Sequence, residues 1–216
     1  DASRASELAQ TLSTINAERR ELQADMVEQA QAEVEKWISD RSTNGLPHGV
    51  VLFNPDWHDG VVGLVASKLK ESLHRPVIAC APAGDSGNEV KASGRSIPGF
   101  HLRDALAEID ARRPGLIARF GGHAMAAGLS LDRANLETFS AAFDAVVRSR
   151  LGPEMLDAIL LTDGGLDASD FTLDLAQQLR NAGPWGQAFP EPVFEDEFTV
   201  ESWKVVGERH IKFKLH

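Results

Sequence analysis

Residues 49–80 read GVVLFNPDWHDGVVGLVASKLKESLHRPVIAC, and this stretch decides the fold. It contains two short apolar runs, 49–53 and 76–80, that have the length of buried strands, and an apolar stripe at helical spacing lies between them over 60–73. The pattern continues with a strand that starts at 90–93, a helix over 101–113, a Gly-rich turn at 121–122, a strand over 126–131 and a helix over 134–150. Strands that alternate with helices at this spacing predict a layered α/β domain.

The preceding segment has a different pattern. Residues 6–39 contain no Gly or Pro and carry apolar side chains three, four and seven residues apart, which predicts one amphipathic helix. A helix of this length spans about 50 Å at 1.5 Å per residue, more than a small domain needs. Arg19 interrupts the apolar seam, which favours a connector helix over a coiled coil. We therefore assign residues 1–43 to a connector helix and residues 44–151 to the α/β domain.

The last segment, residues 152–216, begins with Gly152-Pro153 and is richer in turn signals. Its runs of strand-forming residues lie at 193–200, 202–206 and 210–215. These short runs predict strands of an antiparallel β-barrel. Because the chain stops at His216 in mid-strand, and two or three strands alone are marginally stable, we expect a partial barrel.

Composition and charge restrict the class of protein. The net charge is −10, yet residues 46–150 carry 12 basic and 11 acidic side chains and five of the seven histidines. A bound polyanion is therefore expected in a local pocket of this domain rather than on a broad basic face. The single cysteine, Cys80, excludes a disulfide framework and a multi-cysteine zinc site. No apolar run reaches 18 residues, so the sequence predicts a cytoplasmic protein without membrane contact.

Three polar clusters in the α/β domain are candidates for a binding site. The first, residues 57–63, places His58 and Asp59 just before a predicted helix, where free N–H groups favour an anion. The alternative is that Asp59 caps the helix and His58 packs in the turn.

The second cluster, residues 93–99, ends a predicted strand with Ser93, Gly94, Arg95 and Ser96. A hydroxyl group, a backbone N–H without a neighbouring Cβ and a planar five-donor guanidinium suit a phosphate group. The alternative is that Arg95 is a solvated turn residue.

The third cluster, residues 121–128, presents His123 beside Gly121 and Gly122, where missing side chains let a ligand approach the backbone. The alternative is that His123 has a structural role. No Asp-His-His, His-Glu-x-x-His or paired-Cys motif occurs in the sequence. Since phosphodiester hydrolysis usually needs metal ions, the sequence predicts neither a metal site nor catalytic residues in this chain.

Taken in this order, the three clusters resemble the DHH-associated domain of the DHH phosphoesterases. Further segments are similar to the RecJ exonucleases within that family. They are Ile15-Asn16-Ala17-Glu18-Arg19, Gly99-Phe100-His101-Leu102, Gly183-Pro184-Trp185-Gly186-Gln187 and Pro190-Glu191-Pro192-Val193-Phe194. The resemblance covers essentially the whole chain.

The resemblance implies a 5′-to-3′ exonuclease that degrades single-stranded DNA in DNA repair and recombination. Such proteins contain a DHH domain, a connector helix, a DHH-associated α/β domain and an OB-fold. Their Mn²⁺ or Mg²⁺ ions are held mainly by the DHH domain, which would precede Asp1. We therefore expect this chain to be the substrate-binding portion, without a cofactor and inactive as a nuclease by itself. The implied partners are single-stranded DNA with a 5′-phosphate end and a single-strand-binding protein or a helicase.

The resemblance also implies roles for individual residues. Ser93 and Arg95 would contact the 5′-phosphate end of the strand. His123, beside Gly121 and Gly122, would face the scissile region from the opposite wall of the cleft, and Arg19 would face the same groove. The predicted substrate-binding set is completed by His58, Gly94 and Ser96.

Two other functions fit part of this pattern. A smaller DHH phosphoesterase would act on oligonucleotides or cyclic dinucleotides, although such an enzyme would end after its DHH-associated domain. A non-catalytic interaction module would bind a partner protein through the acidic last segment, which carries 5 basic and 12 acidic side chains over residues 151–216.

Overall fold

The computed structural model describes residues 2–39, 46–84, 87–186, 189–207 and 210–216. The predicted end of the connector, at residues 40–43, and Gln187 of the RecJ-like segments lie outside the described residues. The chain divides into two compact units, Asp1–Ala158 and Ile159–His216, which we describe separately.

The first unit is a mixed α/β structure, which confirms the predicted fold class. Its elements are α1 (Ala2–Ser39), β1 (Val50–Phe53), α2 (Val62–Leu73), β2 (Val77–Ala83), β3 (Glu89–Arg95), α3 (Leu102–Arg112), β4 (Arg119–Gly122), β5 (Ala126–Asp132) and α4 (Leu136–Arg150). The five strands form one sheet in the order β1-β2-β3-β5-β4. Only the β1–β2 pair is parallel, and the other three pairs are antiparallel.

Helices cover the two faces of this sheet unequally. α3 and α4 pack on one face, where the core includes Ile78 and Leu129. α2 packs on the other face against β2 and β3, with Ala79 and Val65 in a second core. On this second face, β5 and β4 extend the sheet beyond α2, so polar residues of the three neighbouring strands reach solvent there.

The connector helix α1 packs on the outside of α2 only through its last third. Met26, Ala30 and Val34 are buried, whereas the apolar side chains of Leu12 and Ile15 are exposed. None of the helices in the described ranges is both long and apolar enough to cross a membrane.

Phe143 lies at the centre of the first core. Its ring stacks on Phe139 with 6.2 Å between centroids and meets Phe100 edge-on at 6.3 Å. A Cβ atom at Gly49 would lie 2.9 Å from Phe143 Cδ1, so β1 approaches α4 closely because this residue has no side chain. Cys80, on the same face of β2, is fully buried, and this burial raises the pKa of its thiol.

A polar cluster ties the start of β1 to α4. Asp144 accepts hydrogen bonds from the backbone N–H groups of His48 and Gly49, at 2.7 and 3.1 Å, and from Arg148 Nε at 2.8 Å. Burial of His48, together with the nearby charges of Arg148 and Arg75, lowers the pKa of its imidazole, and Asp144 acts in the opposite direction. The folded protein therefore disfavours a proton on His48.

We expect this cluster to make the first unit acid-sensitive. Since His48 has a lower pKa in the folded protein than its ordinary value of 6.5, the unfolded chain binds the proton more tightly. The free energy of unfolding should therefore fall as the pH drops through 6.5 towards the lowered pKa. Thermal unfolding between pH 7.5 and 5 should show this loss in the wild type and a smaller loss in His48→Gln. His58→Gln, at an exposed histidine, should keep the wild-type dependence, and equal curves for all three proteins would contradict the assignment.

The second unit contains one α-helix, one short 3-10 helix (Ala168–Asp170) and one hairpin among its described residues. α5 (Leu173–Ala182) begins where the Thr172 hydroxyl accepts a hydrogen bond from the Leu175 N–H at 3.1 Å. β6 (Val200–Val206) and β7 (His210–Leu215) form an antiparallel two-stranded sheet, and the described residues form no closed barrel.

The predicted strand at residues 193–200 is wrong except at its last residue, Val200, where β6 begins. Its backbone groups pair with a loop instead. The Asp163 N–H donates to the Val193 carbonyl oxygen at 2.7 Å, and the Glu195 N–H donates to the Gly164 carbonyl oxygen at 3.1 Å. These two hydrogen bonds pair backbone groups of the segment without the continuous hydrogen-bond ladder of a β-sheet.

The β6–β7 hairpin is expected to exchange its amide hydrogens faster than the central strands. Every described side chain of β6 and β7 is exposed, and an isolated two-stranded sheet is marginally stable in water. Hydrogen exchange should therefore be fast over 198–207 and 210–216 and slow in β1 and β2. Equal protection in both regions would contradict this expectation and would indicate that the hairpin pairs between chains.

Candidate phosphate-binding site

The open half of the sheet carries a row of polar side chains on β3. Lys91, Ser93 and Arg95 lie at alternate positions and therefore on the same face. Ala92 and Gly94, between them, point to the opposite face and are buried. The row lies beside the first turn of α2.

Ser93 and Arg95 meet at the N-terminal end of α2. A Cβ atom at Gly63 would lie 3.0 Å from Arg95 Nη2 and 3.4 Å from Ser93 Oγ, so both groups approach the helix where this residue has no side chain. Arg95 Nη1 donates a hydrogen bond to the Gly94 carbonyl oxygen at 2.9 Å, which orients the guanidinium plane. The helix terminus contributes partial positive charge, so this corner of the sheet favours an anion.

The segment before α2 supplies a charged neighbour. Lys91 Nζ lies 3.0 Å from Asp59 Oδ2, and this hydrogen bond is the main reason why the pKa of Asp59 is lowered. The His58 imidazole accepts a hydrogen bond from the Gly60 N–H at 3.0 Å, and its Nδ1 lies 3.7 Å from Asp59 Oδ1. Val61 occupies the N-cap position without a side-chain bond, so the alternative that Asp59 caps α2 is wrong.

A strip without side chains crosses the sheet beside Ser93. Gly128 stands opposite Ser93 in register, and Gly121 stands opposite Gly128. Both glycines are exposed, and a Cβ atom at Gly121 would have nothing within 4 Å. The predicted turn at Gly121 and Gly122 is wrong, because both residues belong to β4.

Gly122 and His123 form the end of the β4–β5 hairpin. Gly122 has a φ of 141°, and a Cβ atom there would lie 2.5 Å from the Ala126 carbonyl oxygen, so the turn requires glycine. The His123 N–H donates to that oxygen at 2.8 Å, and the His123 side chain is exposed.

The structure does not bring Gly94 and Ser96 to this open face. A Cβ atom at Gly94 would lie 2.7 Å from Leu102 Cδ2, so this glycine lets α3 pack closely on the sheet. Ser96 is 1% exposed, and its hydroxyl donates to the Phe100 carbonyl oxygen at 2.7 Å. Gly94 therefore serves the packing of α3, and Ser96 stabilises the loop that leads into this helix.

Arg19 is exposed on α1 in the described structure. It belongs to the exposed part of α1, seven residues before Met26, the first fully buried residue of that helix. Its predicted role in the groove stays a prediction.

Lys91, Gly63 and Gly128 were not among the binding residues predicted from the sequence. The signal for Lys91 was present, because Lys91, Ser93 and Arg95 alternate with buried residues at the period of a strand. Gly63 and Gly128 had no such signal, because their importance depends on which residues lie opposite them in the folded chain.

The described residues do not fit a metal centre. No group of three or more His, Cys, Asp or Glu side chains that could hold a metal ion occurs among them. The site has the donors to orient an anion.

Comparison with known proteins matches one domain family to each of the two units. The DHHA1 domain family matches residues 47–149, and the RecJ OB domain family matches residues 162–216. The chain is 47% identical over 205 residues to the single-stranded-DNA-specific exonuclease RecJ of Salmonella typhimurium, and also to that of Escherichia coli. These matches cover 95% of this chain and 35% of each relative, so the chain spans about a third of their length.

A solved structure agrees with these matches. The crystal structure of RecJ from Thermus thermophilus in complex with Mg²⁺ is similar with a TM-score of 0.73 and 28% identity, over 100% of this chain and 31% of that one. With both domain families matched in order along the sequence, this chain belongs to the RecJ family and carries its DHHA1 and OB domains.

Proposed function

We propose that this chain is the substrate-binding portion of a 5′-to-3′ single-stranded-DNA exonuclease, and that Ser93 and Arg95 hold the 5′-phosphate end. The observation that carries the proposal is the meeting of the Arg95 guanidinium and the Ser93 hydroxyl at the N-terminal end of α2. The names of the curated relatives, single-stranded-DNA-specific exonucleases, support the choice of substrate.

The chemistry of the pocket suits a terminal phosphate. Such a group bears up to two charges and three exposed oxygens, and a guanidinium can donate two parallel hydrogen bonds to it. The hydroxyl of Ser93 and the helix terminus supply further favourable partners. Because an end-binding pocket needs few phosphate contacts, it is compatible with a net charge of −10.

The strip of glycines gives the first nucleotide a place to lie. Gly128 and Gly121 leave the backbone open beside Ser93, so a sugar or base can approach without displacing a side chain. His123, exposed at the hairpin end, is the proposed neighbour of the scissile region. We assign these residues to binding and orientation of the strand.

The second unit is proposed to bind the strand by stacking. Trp203 and Phe213 stand opposite each other in register and are 64% and 52% exposed. Exposed aromatic rings on a strand pair are a common platform for unpaired bases, and stacking tolerates any sequence. Lys204 and Lys212 are paired one position further along the sheet, so they add positive charge on the opposite face of the hairpin.

The divalent metal and the catalytic groups are proposed to lie in a part of the full-length protein outside this sequence. Two similar RecJ structures are described as complexes with Mg²⁺ and with Mn²⁺, which supports these metals as cofactors of the whole enzyme. We accordingly propose residues 1–43 as the connector helix, 44–151 as the substrate-binding domain and 152–216 as a linker with part of the OB-fold. The resemblance further supports a role in DNA repair and recombination in the cytoplasm, with a single-strand-binding protein or a helicase as partner.

This division predicts that the 216-residue chain alone does not degrade DNA. Purified chain incubated with labelled single-stranded DNA and Mn²⁺ should leave the strand intact. Degradation that disappears in Arg95→Ala would contradict the prediction, because it would require catalytic groups within the chain.

The proposed function is tested with the 5′ group of the substrate. The full-length protein should degrade 5′-phosphorylated single strands more efficiently than the same strands with a 5′-hydroxyl group. Equal kcat/KM on both substrates would overturn the assignment of the pocket, and equal activity on blunt duplex DNA would overturn the preference for single strands.

A further inference from the structure

We infer that Lys91 binds the phosphate that follows the terminal one, so that β3 holds two successive phosphates of the strand. This inference rests on the proposed function, because it extends the site at Ser93 and Arg95. Lys91 lies on the same open face and is the next polar residue along β3 on that face. It is the member of the row that has no part in the proposed binding of the 5′-phosphate end.

The spacing along the strand suits two phosphates. Same-face residues two positions apart on a β-strand are separated by about 6.6–6.8 Å. Successive phosphates of an extended single strand lie on the order of 6–7 Å apart, about twice the rise of roughly 3.4 Å per nucleotide in a stacked duplex strand. With the terminal phosphate between Ser93 and Arg95, the next phosphate therefore reaches the level of Lys91, and the glycine strip accommodates the intervening sugar.

The ion pair with Asp59 holds the Lys91 ammonium group in place. Lys91 Nζ lies 3.0 Å from Asp59 Oδ2, and the segment that carries Asp59 leads directly into α2. An ammonium group has three donors, so one hydrogen bond to Asp59 leaves two for a phosphate. The Lys91 side chain is 54% exposed, which leaves these donors accessible from solvent.

Ser130 provides an independent sign of a missing partner at this level. It stands opposite Lys91 in register, on the same face, and is 6% exposed. Within the described ranges its Oγ atom has no hydrogen-bond partner, although buried hydroxyl groups normally have one. A phosphate beside Lys91 would offer an acceptor to this hydroxyl.

Arg119 is a weaker candidate for the same phosphate. It stands opposite Ser130 on the edge strand β4, is 81% exposed and lies 3.7 Å from Glu89 Oε1. One strand, β5, lies between Arg119 and Ser93, whereas Lys91 and Ser93 are on the same strand. The geometry therefore assigns the second phosphate to Lys91.

The test compares Lys91→Ala with Lys68→Ala in the full-length protein. Lys68 is a matched control, because it is 58% exposed and forms an ion pair with Glu71 at 3.2 Å. Dissociation constants for 5′-phosphorylated and 5′-hydroxyl single strands are measured across a salt series in EDTA, which keeps the strands intact. Lys91→Ala should reduce the slope of log K against log salt by about 0.7, the value for one contact to a single strand, on both substrates. Lys91→Arg should keep the wild-type slope, and Lys68→Ala should not change it.

The outcomes separate this inference from the proposed function. An unchanged salt slope in Lys91→Ala, with a wild-type preference for 5′-phosphate intact, would overturn the role of Lys91 alone. Loss of slope only on the 5′-phosphorylated strand would also overturn it, because Lys91 would then contact the terminal phosphate. Failure of the wild type to distinguish the two strands would overturn the proposed function itself.

Discussion

Arg95→Ala in the full-length protein is expected to lower kcat/KM on 5′-phosphorylated single strands by about ten- to a hundred-fold. Hydrogen bonds to charged groups contribute about 1.5–3 kcal/mol, and each 1.4 kcal/mol changes a rate or binding constant tenfold. The guanidinium lies half-buried over Gly63 and beside Ser93, whose single hydroxyl cannot replace its donors. On 5′-hydroxyl strands, which lack the terminal phosphate, the same change should have little effect.

Two further variants sharpen this prediction. Arg95→Lys should recover only part of the activity, because a point charge does not reproduce the planar donor fork. Arg103→Ala is the matched control, since Arg103 is an exposed arginine on α3 whose ion pair with Asp104 is long, at 3.9 Å. Kinetics on both substrates measure the effect, and equal slowing of both by Arg95→Ala would contradict a phosphate pocket even if the family assignment holds.

Phe143→Ala is expected to destabilise the first unit by about 3–5 kcal/mol, the usual cost of removing a buried aromatic ring. Phe143 is fully buried, stacks on Phe139 and meets Phe100 edge-on. The cavity would lie where β1 passes α4 at Gly49, so the neighbouring backbone has little freedom to fill it. Urea denaturation of the wild type and variant measures the loss.

The control for Phe143→Ala is Phe171→Ala in the second unit. Phe171 also meets another ring edge-on, that of Phe198 at 5.7 Å, but it is 53% exposed. Its replacement should cost less than about 1 kcal/mol, because most of its surface already contacts water. A loss below about 1 kcal/mol for Phe143→Ala as well would contradict the assignment of Phe143 to the centre of the core.

The helices and central strands of the first unit could be predicted from the sequence because their periodicity is strong. Residues 101–113 correspond to α3 and residues 76–80 to most of β2. Gly121 and Gly122 were assigned to a turn because paired glycines usually mark one, whereas their pairing with Gly128 and Ala127 of β5 places them in β4. The local sequence around the two glycines does not show that they will pair with β5.

The part of the site on β3 could be predicted, because residues with suitable donor groups lie two positions apart on one strand. Ser93 and Arg95 have the donors that a phosphate requires, and alternation places them on one face. Gly94 and Ser96 are sequence neighbours of Arg95 but do not belong to the site. Alternation places Gly94 on the opposite face of the sheet, where it allows α3 to pack closely. The Ser96 hydroxyl donates a hydrogen bond to the Phe100 carbonyl oxygen in the loop that follows. Contacts made by a residue with another part of the chain, such as Lys91 with Asp59, cannot be read from either segment alone.

Burial of Cys80 provides an internal probe for opening of the sheet. It is the only cysteine in the 216 residues, and no part of its side chain reaches solvent. A thiol reagent can modify it only after β2 separates from the helices that cover it, because the buried thiol is both shielded and held protonated. The rate of labelling in native buffer thus follows the opening of the first unit without any added dye or engineered residue.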